Sequence, residues 1–379
     1  MQKNKKSRQE TDKYKNNGGN KMAKQRIINL PETTGEIQLR GYVTGILADN
    51  FYKQDVGRTG KPYRSMRFGV QVNEDSKVFL DLYESKPENV YFYKRSEIKG
   101  EKGNTKTVPY EQRNSFSVDG YNPIGMSNYI EIEVDEQGNQ VKDEKGKLKN
   151  KNVTLNNYDS LEYLSKKLDD DKPVFVVGKT AFSSYMKGEE RHRQTKLIPT
   201  RIMNSATIDF DDEDFKQKSD FKQTFIFTGI TLDQSDKEDE KAIIEGLVVG
   251  YSTIENVELI TRNKKLYKSL KTKVKPYTAM TVWGIINNRV EGEEVVVDDE
   301  WGEADTFIKP QRTFIFELEV TGVDPATFDT ENYTQVLIDE ALEAITNQER
   351  AKSEFGENKP TVKNDDLDDW GTSTEEDWD

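Results

Sequence analysis

Aromatic and basic residues recur together in this 379-residue chain, along alternating stretches and in the loops between them. Aromatic rings stack on nucleobases for about 1–3 kcal/mol each, and Lys and Arg contact phosphates, without reading base sequence. The set therefore predicts a surface for single-stranded nucleic acid. The alternative is a second apolar core with solvated basic faces. In the first half the candidates are Arg40, Tyr42, Phe51, Tyr52, Tyr63, Arg64, Arg67, Phe79, Tyr185, Lys187, Arg191, Arg193 and Lys196. In the second half they are Arg262, Lys264, Lys265, Tyr267, Lys275 and Tyr277.

Catalytic residue types are scarce. The chain has no cysteine, which excludes thiolate metal sites and cysteine nucleophiles, and its one histidine, His192, lies between two arginines. No Walker-type glycine loop, G-x-S-x-G or H-E-x-x-H motif is present. We therefore predict a binding protein rather than an enzyme, with no metal or cofactor.

Charge is distributed unevenly along the chain. The formal net charge is −13, yet residues 1–21 are basic and residues 364–379 carry eight acids and no base. A negative body argues against coating of duplex DNA. It still permits a local basic groove, because salt screens charges beyond roughly 8–10 Å. No stretch approaches the ~20 apolar residues of a membrane helix.

The first 21 residues have two explanations. The codons for Asn17 to Asn20 would contain a ribosome-binding sequence shortly before the codon for Met22. Native translation would then start at Met22, and residues 1–21 would be a translated leader. The alternative is a flexible basic tail.

The first half has the strand order of a small barrel. Residues 36–47 alternate with Ile37, Leu39, Val43 and Leu47 on one face, and two further apolar strands follow at 66–72 and 78–82. A helix at 161–168, capped by Asn157 or Asp159, precedes strands at 174–178 and 193–203. Three strands, a helix and two strands are the order of the OB-fold, a five-stranded Greek-key barrel.

The second half repeats this pattern. Residues 243–251 align without gaps with residues 38–46. The two segments share the pattern apolar–charged–Gly–X–Val–X–Gly, which predicts that 243–251 is the first strand of a second barrel. A short strand at 257–260, a helix near 266–270, and strands at 279–284 and 314–320 follow in the same order. We therefore predict a mainly β protein with two OB-fold-like five-stranded barrels in tandem; the alternative is an unrelated β-sandwich.

The predicted boundaries follow from these patterns. They are a disordered leader (1–21), a first barrel (22–208) with an insertion (84–157), a linker (209–222), a second barrel (223–325), a helix (326–350) and a disordered acidic tail (351–379).

The acidic tail places tryptophans in dense negative charge at the chain end. The residues concerned are Asp368, Asp369, Trp370, Asp377, Trp378 and Asp379. Such a tail could occupy the protein's own basic groove or dock a partner. Barrels followed by an acidic tail with terminal aromatics resemble phage-type and bacterial single-stranded-DNA-binding proteins. The chain departs from the bacterial pattern by ending in Trp-Asp where that tail ends in Pro-Phe, and by its acid-rich insertions.

The resemblance implies coating of single-stranded DNA during phage replication or recombination, in the cytoplasm of an infected bacterial host. It also implies recruitment of a helicase, primase or polymerase through the tail. The remaining alternatives are a phage structural or assembly protein whose β-domains bind other subunits, and an RNA-binding or replisome adaptor protein. The sequence does not determine the oligomeric state.

Overall fold

The computed structural model describes residues 26–57, 59–187, 190–235, 239–292 and 312–355. The predicted leader (1–21) and residues 356–379 of the predicted tail lie outside these ranges, whereas residues 351–355, predicted as disordered tail, belong to a helix. The prediction of a mainly β protein is confirmed. The strands are β1 (Gly35–Thr44), β2 (Tyr52–Val56), β3 (Pro62–Gln71), β4 (Lys77–Ser85), β5 (Asn89–Lys94), β6 (Asn104–Pro109), β7 (Asn122–Pro123), β8 (Met126–Ile132), β9 (Asn150–Leu155), β10 (Pro173–Lys187), β11 (Glu190–Asn204), β12 (Lys218–Asp233), β13 (Lys241–Val249), β14 (Ile254–Thr261), β15 (Thr278–Gly292) and β16 (Arg312–Asp329). The α-helices are α1 (Asn157–Ser165), α2 (Lys264–Lys273) and α3 (Gln335–Phe355), and a short 3-10 helix spans Tyr110–Gln112.

The first half is built around β1. This strand pairs antiparallel with β3 at one end and with β10 along most of its length, while β3 pairs with β4 and β10 with β11. The alternation predicted for β1 is present at Ile37, Leu39 and Val43, which are fully buried. The prediction is wrong for Leu47, which lies beyond the end of β1 and is 90% exposed. Helix α1 packs on β3 and β4 and buries Leu161 and Leu164 in the same core.

The five strands of the second half pair in a closed cycle. β12 pairs with β13 and β15, β13 with β14, β15 with β16, and a parallel contact between β14 and β16 completes the cycle. The first strand is therefore β12, and the predicted first strand at 243–251 is the second. The glycine motif misled the alignment because Gly246 makes room for a neighbouring side chain, as a Cβ there would lie 2.3 Å from the Phe225 ring.

Glycines in the fourth strand of each half do correspond. Gly178 in β10 and Gly284 in β15 both follow a register shift in the pairing with the next strand. A Cβ at Gly178 would lie 2.4 Å from the Ile198 carbonyl oxygen, and one at Gly284 would lie 1.8 Å from that of Glu319. Both positions therefore need glycine because the backbone of the fifth strand passes too close for a side chain.

Strands β1 and β12 pair antiparallel and join the two halves into one continuous sheet. Residues 218–222, predicted as linker, therefore belong to a strand. The segment before them lies against the first half: the hydroxyl of Tyr42 donates to the Ile208 carbonyl at 2.5 Å, and Asn73 donates to the Gln217 side chain at 2.8 Å. The connection between the halves is thus a strap packed over the end of β1.

The segment between β4 and α1 folds into two small units. One is a three-stranded sheet in the order β6–β5–β7, and the other is the β8–β9 hairpin, which joins the main sheet through a parallel pairing of β8 with β11. Helix α1 is capped by Asn156, whose side chain accepts from the Asp159 N–H, and not by either predicted residue.

The end of the described chain also differs from the prediction. β16 continues to Asp329, so the predicted helix start at 326 falls in a strand. Helix α3 then packs Ile338 and Ala341 with Ile28 and Leu30, against the second half.

Candidate nucleic-acid interface

The outer face of the β3–β4 pair brings several predicted residues together. Met66, Phe68, Leu80 and Leu82 point into the core, so residues of the opposite parity share the outer face. In register, Arg67 lies opposite Asp81 and Gly69 opposite Phe79. The members of this outer face are Tyr63, Arg67, Phe79, Asp81 and Tyr83.

Two aromatic arrangements occupy this outer face. The rings of Tyr63 and Tyr83 stack with centroids 5.0 Å apart and an angle of 25° between their planes. Tyr83 remains 51% exposed. The Arg67 guanidinium lies 5.1 Å from the Phe79 ring centroid. The half-exposed Tyr83 ring, held by Tyr63, forms a surface on which a further flat ring can stack with little loss of side-chain entropy.

Charge on this outer face is locally positive. Arg67 Nε lies 3.6 Å from Asp81 Oδ1, within ion-pair distance. Burial raises the pKa of Asp81, and the positive charges of Arg67 and Lys196 oppose that rise. Lys196 on β11 is therefore close enough to act on the same carboxylate. Two cations against one acid leave a net attraction for phosphate.

The β10–β11 hairpin extends the candidate surface with a second aromatic pair. Tyr185 stacks on His192 with centroids 5.4 Å apart. Arg191 is exposed, and its Nε donates to the Ser184 hydroxyl at 3.0 Å. The side chain of Lys187 lies outside the described residues. The hairpin arm thus carries an aromatic stack beside an exposed guanidinium.

The hairpin arm also touches the second half. Arg193 forms an ion pair with Glu258, and the Ser184 hydroxyl donates to Glu255 at 2.8 Å. Both glutamates are in β14. Arg193 is therefore a bridge between the halves, with its charge partly neutralised.

Arg64 does not reach the interface. Its side chain points to the opposite side of β3, under α1, where the residue is 7% exposed. It donates to the Tyr158 carbonyl at 2.9 Å and forms ion pairs with Asp159 and Glu162. Its parity with the buried Met66 is the signal in the sequence that could have revealed this role.

Three aromatic candidates also have structural roles. Phe51 is 7% exposed and belongs to the core. Tyr52 packs against that core, and burial raises the pKa of its hydroxyl. Tyr42 is held to the strap, donating to the Ile208 carbonyl and accepting from the Ile208 N–H at 2.9 Å. The strap also engages Arg40, whose Nε donates to the Ser205 hydroxyl at 3.1 Å.

The basic candidates of the second half, which lie between residues 262 and 277, differ in how far carboxylates neutralise them. Arg262 lies among Asp239, Glu317 and Glu319, with nitrogen–oxygen distances of 2.6 to 2.9 Å. The hydrogen bonds that Arg262 donates to Asp239 raise the pKa of the guanidinium. Burial opposes this rise, and Glu317 and Glu319 add to it. Such a guanidinium is already saturated with carboxylates and is a poor phosphate ligand.

The remaining candidates of that range lie on or after α2. Lys264 pairs with Glu240 at 2.6 Å, and the Lys271 ammonium donates to the Tyr267 hydroxyl at 2.8 Å. Lys265 and Lys275 are exposed. Tyr277 has a φ of 66° and packs against the cluster beneath α3, so it is part of the scaffold. Arg262, Lys264 and Tyr267 thus line one small cavity beside Glu240, while Tyr277 lies in the scaffold.

Trp283 is an exposed aromatic that was not among the candidates identified from the sequence. Trp283 in β15 is 44% exposed, and it alternates with the buried Val282 and Ile286 in the way that places a side chain on the outer face. The same alternation can be read from the sequence, and it would have placed Trp283 on the outer face of the predicted strand at 279–284.

Within the described residues, no cluster of His, Asp and Glu side chains could hold a metal ion. Among the helices described, none has both the length and the apolar character needed to cross a membrane.

Comparison with known proteins gives one family and a distant structural likeness. The YorF family model matches residues 94–358. No curated protein matches the sequence. Among solved structures, the wild-type single-stranded DNA binding protein from Thermus aquaticus has 10% identity and a TM-score of 0.37, covering 80% of this chain and 97% of that one. A deletion mutant of the same protein has 9% identity and a TM-score of 0.36, covering 80% and 98%. At these identities and TM-scores the likeness to that protein supports no functional argument.

Proposed function

We propose that this chain, which belongs to the YorF family, binds single-stranded DNA without sequence preference. The observation that carries the proposal is the stacked pair of Tyr63 and Tyr83 on the outer face of β3 and β4. In OB-type barrels the face of the second and third strands, with the adjoining loops, binds oligonucleotides. β3 and β4 hold those two positions in the first half, counting β2 as part of the first hairpin.

Each type of contact has a role in this proposal. Bases stack on Tyr83 and on the Tyr185–His192 pair, while Arg67, Lys196 and Arg191 contact the phosphates between them. Stacking on exposed rings requires bases that are not enclosed in a duplex, which favours single strands. The negative net charge of the chain adds to this preference, because only the local cations offset phosphate repulsion.

The finer assignments rest on the sequence. We propose that the two halves are related OB-type barrels, the first containing the 84–157 insertion. We also propose that the protein coats DNA during phage replication or recombination in an infected host cell. In this proposal, the tail with Trp370 and Trp378 competes for the basic surface or recruits replication proteins.

Fluorescence anisotropy of labelled oligo-dT, at several salt concentrations, tests the proposal. We expect binding that weakens as salt rises, since phosphate contacts release counterions. Tyr83→Ala should weaken binding by about 1 kcal/mol or more. The matched control is Tyr91→Ala, because Tyr91 is 50% exposed but lies on β5, in the separate three-stranded sheet.

Three results would count against the proposal. No binding of oligo-dT at low salt would overturn it and favour the structural-protein alternative. Equal losses for Tyr83→Ala and Tyr91→Ala would show that the β3–β4 face is not the binding surface. Tighter binding of an RNA oligomer of the same length would redirect the proposal to RNA.

A further inference from the structure

A groove of about 370 Å³ lies on the outer face of the sheet where the two halves meet. It is formed by strands from both halves, since β1 pairs with β12 and β12 with β15. Across these strands Gln38, Asp220 and Ile285 lie in register. In the adjacent row Glu36, Lys222 and Trp283 lie in register. Neither half contains this groove alone.

Trp283 is held in a fixed position at the groove. Its indole ring lies against the backbone of Gly322, where an added Cβ would be 2.5 Å from the ring. The pairing of β15 with β16 shifts register directly after Trp283, and such bulges re-aim side chains. The residue is nevertheless 44% exposed. The indole is therefore supported on one side by bare backbone and open to a ligand elsewhere.

Two cations and two acids line the groove, Lys218, Lys222, Glu36 and Asp220, and Glu36 lies opposite Lys222 in register. Lys218 forms an ion pair with Asp220, so these two charges cancel. Lys222 is exposed and lies next to Trp283 in the neighbouring strand. A flat ring flanked by an ammonium group matches a base and its phosphate.

We propose that this groove is a second binding site for the same single strand, with Trp283 stacking on a base and Lys222 contacting a phosphate. The proposal rests on the proposed function. β15 meets the start of β4 directly, where the Ser76 hydroxyl donates to the Asn288 carbonyl at 2.8 Å. Trp283 lies five residues from Asn288, roughly 17 Å along an extended strand. A strand that crosses the sheet would reach both the groove and the β3–β4 face.

Intrinsic fluorescence provides a direct test. In a protein whose other tryptophans are replaced (Trp301→Phe, Trp370→Phe and Trp378→Phe), stacking on Trp283 should quench its emission as oligo-dT is added. Gly322→Ala should displace the indole and reduce the quenching.

Affinity provides the second test, in the otherwise unaltered chain. Trp283→Ala should weaken oligo-dT binding about 5-fold or more, and Trp283→Phe should retain most of the affinity. Lys222→Gln should lower the slope of log affinity against log salt by about 0.7, the value for one phosphate on a single strand. The matched control is Phe316→Ala, a similarly exposed aromatic of β16 that does not line the groove.

The outcomes separate the two proposals. If Tyr83→Ala weakens binding while Trp283 shows neither quenching nor an effect of substitution, the groove is not a binding site and the proposed function stands. If the wild-type chain does not bind oligo-dT, the proposed function itself fails. If Trp283→Ala is unfolded, quenching of the native indole and the Trp283→Phe affinity still decide the matter.

Discussion

Replacing Arg64 by alanine should destabilise the protein without removing a DNA contact. The guanidinium lies under α1, donates to the Tyr158 carbonyl at 2.9 Å and is 4.0 Å from the centroid of that tyrosine's ring. It also forms ion pairs with Asp159 and Glu162. The side chain therefore attaches helix α1 to strand β3.

The size of the effect follows from what remains after the substitution. Removing one partner of a buried ion pair costs about 3–5 kcal/mol, because the other charge stays buried. Asp159 keeps Arg113, and Glu162 keeps Lys166 and is partly exposed. We therefore expect a loss at the lower end of this range, about 3 kcal/mol in the free energy of unfolding. With a urea m-value of about 2 kcal/mol/M, the midpoint would fall by about 1.5 M.

Urea unfolding followed by circular dichroism measures this shift, and oligo-dT anisotropy below the transition measures binding. Arg191→Ala is the matched control, because Arg191 is exposed and donates to a hydroxyl group. It should change stability by less than about 0.5 kcal/mol and weaken binding. An Arg64→Ala protein with an unchanged midpoint and weakened binding would refute the reasoning, since the arginine would then contact phosphate.

Three further predictions concern pH, packing and the tail. Burial raises the pKa of Asp159, but hydrogen bonds from Arg113, Tyr110 and Asn156 outweigh it and hold this pKa below its ordinary value. The contribution of Asp159 to the free energy of unfolding is therefore complete above about pH 4, and it is lost as the pH falls through the folded-state pKa. Asp159→Asn should remove this pH dependence of stability, measured by urea unfolding. Gly284→Ala should cost about 2–3 kcal/mol, because the new Cβ meets the Glu319 carbonyl, whereas Gly57→Ala, with nothing nearer than 3.6 Å, should cost far less in the same measurement. A version ending at Lys363 should bind oligo-dT more tightly at low salt, and equal affinity of the two lengths would contradict competition by the tail.

Several features of the fold could be predicted because they depend on neighbouring residues along one strand. The alternation of Ile37, Leu39 and Val43 predicts which face of β1 is buried, and the structure buries all three. Gly178 and Gly284 end the predicted strands at 174–178 and 279–284, and both positions are closed to side chains by the next strand. In the candidate interface, Arg67 and Phe79 were identified because they lie out of phase with the apolar residues.

Other features depend on contacts between distant segments. The first strand of the second half was misplaced because a glycine in a strand signals a close neighbour without identifying it, and that of Gly246 is the Phe225 ring. Tyr42 is held by Ile208, which is 166 residues away. Nothing local to Tyr42 distinguishes a ring that binds a strap from one that is open to a base.

The sequence by itself determined the mainly β class, the faces of the strands and the aromatic and basic character of the surface, because alternation and residue type act locally. Only the tertiary structure decided which of those residues remain open to a ligand. It placed Arg64 under a helix and Arg262 among carboxylates, and left Tyr83 and Trp283 exposed. The physical reason is that accessibility depends on which element packs over a face, and here that element comes from far along the chain.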